Sequence, residues 1–276
     1  MAKSPGPFPA ARVGRGGWSA REALVVAVAG AATLAAALSQ ALLVGGTTPA
    51  HPSAAIQPAR LSAAQPQAAS SARPSAGQTE LASVRTTTSR YASPGHLGTG
   101  TVPATWYGRP SVLPVIATEP GWVEVRLAQR PNQSTAWLPA SDVTLSDTAY
   151  EIVVDLATTK LSLYRDGRLV FTAPAGVGTT DDPTPTGDYF VAFVEQPPQP
   201  NPGYGPFILV TSDHSHAISD WEGSGDAVIG IHGPLGEDSQ IGTSGAKISH
   251  GCIRLHDQAL EKLTAVPPGT PIDVVN

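Results

Sequence analysis

The sequence predicts a mainly β protein with one short helix, and three observations carry that prediction. Short runs rich in Val, Ile, Thr and aromatics recur along residues 97–276, separated by Pro, Gly and Asn. The chain holds 28 Gly and 27 Pro, and only 14% of its residues are charged, against about 25% in an ordinary soluble domain. Helical spacing of apolar residues occurs in one place, His256–Ala265.

Residues 1–22 come first and carry a net charge of +3, from Lys3, Arg12, Arg15 and Arg21 against Glu22. The uncharged stretch Ala23–Val44 follows. As a helix it would span about 33 Å, close to the thickness of a bilayer's hydrocarbon core. The basic flank stays on the cytoplasmic side, so the remainder of the chain faces outward. A cleaved signal peptide is the alternative reading of 23–44, and both readings export the protein. From 45 to 96 the chain reads as a disordered linker. Between Gly45 and Ala92, 37 of 48 residues are Ala, Ser, Thr, Pro, Gln or Gly, which bury too little apolar surface to offset the entropy of ordering them.

Residues 97–147 form a small β module, with strands expected at Val112–Ile116, Trp122–Leu127 and Thr135–Leu138. The run Gly121-Trp122-Val123 with Ala136-Trp137-Leu138-Pro139 resembles bacterial SH3-like modules of cell-envelope enzymes. In 148–276, strands are expected at Ile152–Asp155, Lys160–Tyr164 and Arg168–Ala173, the last two joined by the hairpin signal Asp166-Gly167. Asp188–Val194, Phe207–Thr211, Val228–Ile231 and Pro271–Val275 continue the pattern. The segment Gln196–Pro206 is too rich in Pro and Gly for a sheet interior and reads as a substrate wall or lid.

Composition also excludes functions. Residues 148–276 hold 6 basic and 16 acidic side chains, a net of −10, which repels phosphate backbones, so nucleic acid is not a partner. Cys252 is the single cysteine, which excludes a disulfide scaffold. Around it lies Ser249-His250-Gly251-Cys252-Ile253-Arg254, and His232-Gly233 ends an apolar run twenty residues earlier. A thiol becomes a strong nucleophile beside an imidazole or an amide dipole. Gly251 permits a tight turn that would let the Gly251 and Cys252 amides converge on one oxygen. A helix following Gly-Cys would place the sulfur at its positive end. Two other readings stay open on spacing alone: a metal site drawn from His214, His216, His232, His250, Cys252 and His256, and a buried cysteine with incidental histidines.

His232 followed after sixteen residues by Ser-His-Gly-Cys resembles the signature of the YkuD-type L,D-transpeptidases. Leu163–Gly167, Gly176-Val177-Gly178, Thr184-Pro185-Thr186-Gly187 and Gly230–Gly233 look like further family landmarks, in order, over residues 150–276. The anchor, linker, β module and catalytic domain together resemble actinobacterial members. The resemblance implies a β-sandwich or barrel-like catalytic domain that cleaves the bond before the terminal D-alanine of a peptidoglycan tetrapeptide stem. It implies Cys252 as nucleophile, His232 as base, the Gly233 carbonyl as orienter of His232, and the Gly251 and Cys252 amides as oxyanion donors. Ser249 and His250 shape the pocket, and Arg254 stands where many members have Asn. The acceptor would be a diaminopimelate amine of a second stem, giving a 3→3 cross-link, with carbapenems as acylating inhibitors and no cofactor or metal. Tyr204 and Trp221, flanking the Pro/Gly loop, are candidates for lining the donor pocket. L,D-carboxypeptidase action, attachment of a protein amine, and an inactive wall-binding scaffold are the competing functions.

Overall fold

The computed structural model describes residues 77–200, 203–220, 225–243 and 246–276. The expected membrane span 23–44 lies outside them. Among the described residues no helix is long and apolar enough to cross a membrane.

The amino-terminal unit holds β1 (Thr79–Val84), β2 (Thr88–Tyr91), β3 (Gly98–Val102), the short β4 (Thr105–Trp106) and β5 (Arg109–Pro110), β6 (Val112–Glu119), β7 (Trp122–Arg126), β8 (Thr135–Pro139) and β9 (Val143–Thr148). Seven of these form one sheet in the order β3-β2-β8-β7-β6-β1-β9, while β4 and β5 pair as a separate hairpin. The expected linker boundary at 96 needs correction, because order begins by Thr79. Strand β1 runs between β6 and β9 and buries Leu81, Ala82 and Val84. Averaging composition over 48 residues hid this: Leu81, Val84 and Tyr91, three of the five large apolar residues there, fall in its last dozen.

The second unit holds β10 (Tyr150–Asp155), β11 (Lys160–Arg165), β12 (Arg168–Pro174), β13 (Val177–Gly178), β14 (Gly187–Glu195), β15 (Ile208–His214), β16 (Val228–His232), β17 (Lys247–Ser249), β18 (Ile253–Arg254), the helix α1 (Asp257–Glu261) and β19 (Pro271–Val275). Its eight-stranded sheet has the order β12-β11-β10-β19-β14-β15-β16-β18. The hairpin at Asp166-Gly167 is present, with φ of 50° and 68° as a two-residue turn between twisted strands requires. Helix α1 is shorter than the spacing suggested. Beyond Glu261 the chain continues in i→i+3 turns to Val266, and Pro267-Pro268 stops it.

Two apolar clusters fix the layers. One lies between α1 and the sheet, from Ile152, Leu161, Tyr189, Leu209, Ile231, Leu260 and Leu263. The other joins the two units, packing Ala82, Val125 and Leu138 with Phe190, Phe193, Ile208 and Val228. The amino-terminal sheet therefore covers a face of the eight-stranded sheet rather than standing apart from it.

Candidate active site

Two parallel strands bring the expected residues together. Strand β18 pairs with β16 in the register Ile231↔Ile253 and His232↔Arg254. Cys252, one residue before β18, therefore sits level with Gly230, whose amide donates to its Sγ at 3.4 Å. The sulfur is not at a helix start, since Ile253 and Arg254 are committed to the sheet and α1 begins only at Asp257. That expectation is corrected.

The turn carrying Cys252 is held by a chain of buried hydroxyls. Ser249 Oγ donates to the Cys252 carbonyl at 2.5 Å and accepts the Gly251 amide at 3.1 Å. Thr184 Oγ1 donates to the Gly251 carbonyl at 2.6 Å and accepts the Gly178 amide at 2.9 Å. Gly251 has φ +115°, outside the range other residues adopt readily, and a Cβ there would stand 2.7 Å from Ile229 Cδ1. The Gly251 amide is thus engaged by Ser249. Thr184 was visible in the sequence only as part of a landmark; its two bonds depend on a chain reversal that no local pattern encodes.

His232 is buried at the end of β16. Its Nδ1 lies 2.7 Å from the Gly233 carbonyl, which can only accept, so Nδ1 carries the proton and Nε2 is the basic nitrogen. Gly233 in turn donates to the Tyr204 carbonyl at 2.7 Å, and the Tyr204 ring stands edge-on to the imidazole with centroids 5.0 Å apart. A Cβ on Gly233 would come within 2.7 Å of the Gly203–Gly205 backbone, so glycine is required for the Pro/Gly loop to close over this strand end.

Burial dominates the electrostatics. It lowers the His232 imidazole to about 4, assisted by the Arg254 charge and opposed by the Gly233 bond. Burial also raises the Cys252 thiol above its ordinary value, against the Gly230 amide and the Arg254 charge. At neutral pH both groups are therefore uncharged. Arg254 is itself buried, with Nη1 donating to Glu237 Oε2 at 2.5 Å and Nε without a partner.

Two pockets meet at the sulfur. One, of about 180 Å³, is lined by Tyr107, Phe193, Glu195, Tyr204, His232 and Cys252 among others. The second, of about 60 Å³, takes in Ser249, His250 and Arg254 and shares Tyr204, His232 and Cys252 with the first. His250 is half exposed, its Nε2 3.7 Å from Asp182 Oδ2. Trp221 lies outside the described residues. His214 and His256 are carried elsewhere, toward Asp226 and Asp238, and among the described residues no three His, Cys, Asp or Glu side chains gather as a metal site. Glu237 and Tyr107 were missed in the sequence. An acidic pair in a loop carries no signal of its own, and Tyr107-Gly108 signals only a turn.

Residues 149–274 match the model of the YkuD family, the L,D-transpeptidase catalytic domain. The YkuD proteins of Bacillus licheniformis and Bacillus subtilis are 36% and 30% identical to this chain over 126 residues, which is 45% of this chain and 65% of each relative. The match thus spans less than two thirds of those relatives' length. An L,D-transpeptidase structure from Mycobacterium smegmatis is 21% identical over 56% of this chain and 91% of its own, with a TM-score of 0.35, too low to bear on mechanism. The matched segment is therefore similar to YkuD-type L,D-transpeptidase domains. The SH3-like likeness of residues 97–147 and the actinobacterial one fall outside this match and rest on the sequence alone.

Proposed function

We propose that this protein is a peptidoglycan L,D-transpeptidase with Cys252 as nucleophile and His232 as base. The observation that carries the reading is the pairing of β16 with β18, which opens a thiol and a neutral imidazole into the same two pockets.

With both groups uncharged, attack and proton transfer are coupled. Sγ bonds to the carbonyl carbon of the third stem residue while its proton passes to His232 Nε2. The oxyanion is stabilised by the Cys252 backbone amide, since the Gly251 amide is already held by Ser249 Oγ. The C–N bond then breaks, and D-alanine leaves with the proton held on the imidazole. The resulting thioester keeps the acyl group reactive, so no external energy source is needed. A diaminopimelate amine of a second stem attacks it, gives its proton to Nε2, and expels the thiolate, which recovers that proton. Arg254 holds positive charge near the sulfur and helps it depart as an anion. Ser249 holds the turn, and His250 lines the smaller pocket. No cofactor or metal takes part. Residues 23–44 tether the domain outside the membrane, within reach of the wall.

The test gives the full chain purified disaccharide-tetrapeptide and reads products by mass. A cross-linked dimer lacking one D-alanine, absent with Cys252→Ala, supports the reading. Tripeptide alone points to an L,D-carboxypeptidase. Unchanged substrate with an intact fold leaves the scaffold in its place.

A further inference from the structure

The larger pocket is not closed by the catalytic unit alone. One wall is the β4–β5 hairpin of the amino-terminal unit, whose Tyr107 lines the pocket beside Cys252 and His232. The hairpin turns on Tyr107-Gly108, with φ of 50° and 73°, between the paired residues Trp106 and Arg109. Turns of this shape favour Asn, Asp or Gly at the first position. A tyrosine there is strained, and strain of this kind is retained where the surroundings hold the side chain in use. Those surroundings are present. Trp106 packs edge-on against Phe193 with centroids 5.7 Å apart, Tyr107 meets Phe193 at 6.1 Å, and Arg109 pairs with Glu195 at 3.1 Å. Phe193 and Glu195 both line the pocket, so the hairpin is fastened to the wall it completes.

We propose that the β4–β5 hairpin is the substrate-selecting wall of the thiol site and that Tyr107 packs against the donor peptide. The inference rests on the peptidoglycan reading above and names which part of the chain chooses the donor. Lining the pocket with Tyr107 are Phe193, Tyr204, Ile208 and Val210, and the carboxylate of Glu195 is already offset by Arg109. The wall therefore suits an uncharged stretch of peptide, whose amide planes and methyl groups stack on an aromatic face. Charged stem groups are left to other parts of the site. Tyr107 is a specificity residue, not a catalytic one.

The experiment measures tetrapeptide binding to the full Cys252→Ala chain by calorimetry, alone and combined with Tyr107→Asn or Tyr107→Phe. Asparagine suits the turn, so a thermal melt at or above that of the parent shows that the fold is kept. Tyr107→Asn is expected to weaken binding about tenfold, as removal of a central aromatic contact does, while Tyr107→Phe keeps most of the affinity. Equal binding by the Asn variant overturns the wall. Wild-type turnover is measured separately. Turnover with Tyr107-independent binding removes the wall and keeps the transpeptidase; Tyr107-dependent binding without turnover does the reverse. Absence of binding to the Cys252→Ala parent overturns the wall, and joined with absence of wild-type turnover it overturns the transpeptidase as well.

Discussion

Cys252 and His232 are poised as a neutral pair, and that has consequences for reactivity and for acid stability. A carbapenem, reactive at its strained acyl carbon, is expected to add its full mass to the wild type and none to Cys252→Ala, read by intact-mass spectrometry. His232→Gln keeps a donor for the Gly233 carbonyl but loses the base. Its acylation rate is expected to fall by about 10²–10⁴. The imidazole also links stability to pH. Its folded value of about 4 lies below the ordinary 6.5, so the unfolded chain takes up this proton first as pH falls. Stability from this group is complete above pH 6.5 and declines as pH drops from 6.5 towards 4, by roughly 3 kcal/mol in all. Chemical denaturation across that window is expected to show a shallower decline in His232→Gln. An equal slope in both chains would mean that the buried imidazole is not the group being titrated.

Strand pairing, more than any single side chain, assembles the site, and its tightest point is the crossing of β13 with the 182–184 loop. A Cβ at Gly178 would stand 2.3 Å from the Asp182 carbonyl oxygen and 2.4 Å from the Thr184 amide, both backbone atoms. Gly178→Ala must therefore push that loop away, and with it the Thr184 hydroxyl that clasps Gly251. Overpacking of this kind costs about 1–3 kcal/mol. Equilibrium unfolding in urea should register that loss, and turnover should fall beyond it because the cysteine turn is released. Retention of both would show that the 182–184 loop yields freely. These elements also mark what was readable in advance. The hairpin at Asp166-Gly167 and strands such as Pro271–Val275 rest on local chemistry, turn residues and alternation, and were legible. That Cys252 and His232 would stand together was suggested by their residue types and by the family resemblance, and the folded chain does bring both into the same pockets. The parallel pairing of β16 with β18 and the Glu237 partner of Arg254 were not, since both arise from segments that meet only in the folded chain. The wrong extent of the linker came from treating composition as uniform where apolar residues clustered at one end.

Across the whole molecule, the amino-terminal unit behaves as half of a shared structure. The loop after β7 hooks into the second unit. Arg130 pairs with Asp226 at 2.9 Å and donates to the Ser215 and Ile218 carbonyls, while Asn132 donates to the His214 carbonyl at 2.8 Å and accepts its amide at 3.0 Å. Asn132 thus serves His214 as a neighbouring strand would. Beneath this hook the joint apolar cluster sets Val125 and Leu138 against Phe190 and Ile208. A boundary placed at residue 148 accordingly separates strands without separating cores. This makes the start of the chain decisive for any shortened form. A chain beginning at Ser93 lacks β1, which lies between β6 and β9, and β2, which lies between β3 and β8. It splits the amino-terminal sheet in two places and strips out Leu81, Ala82 and Val84, whose burial supplies about 5 kcal/mol, comparable to the entire stability of many domains. A chain beginning at Gly77 keeps every described strand. The Gly77 form is expected to melt in a single cooperative transition, followed together by near-ultraviolet circular dichroism and calorimetry. The Ser93 form should melt well below it or aggregate, and its thiol acylation should fall with the folded fraction, because the apolar cluster shared by the two units is lost with the broken sheet. Matching melts and matching acylation in the two forms would mean that the amino-terminal strands cover the catalytic sheet without supporting it.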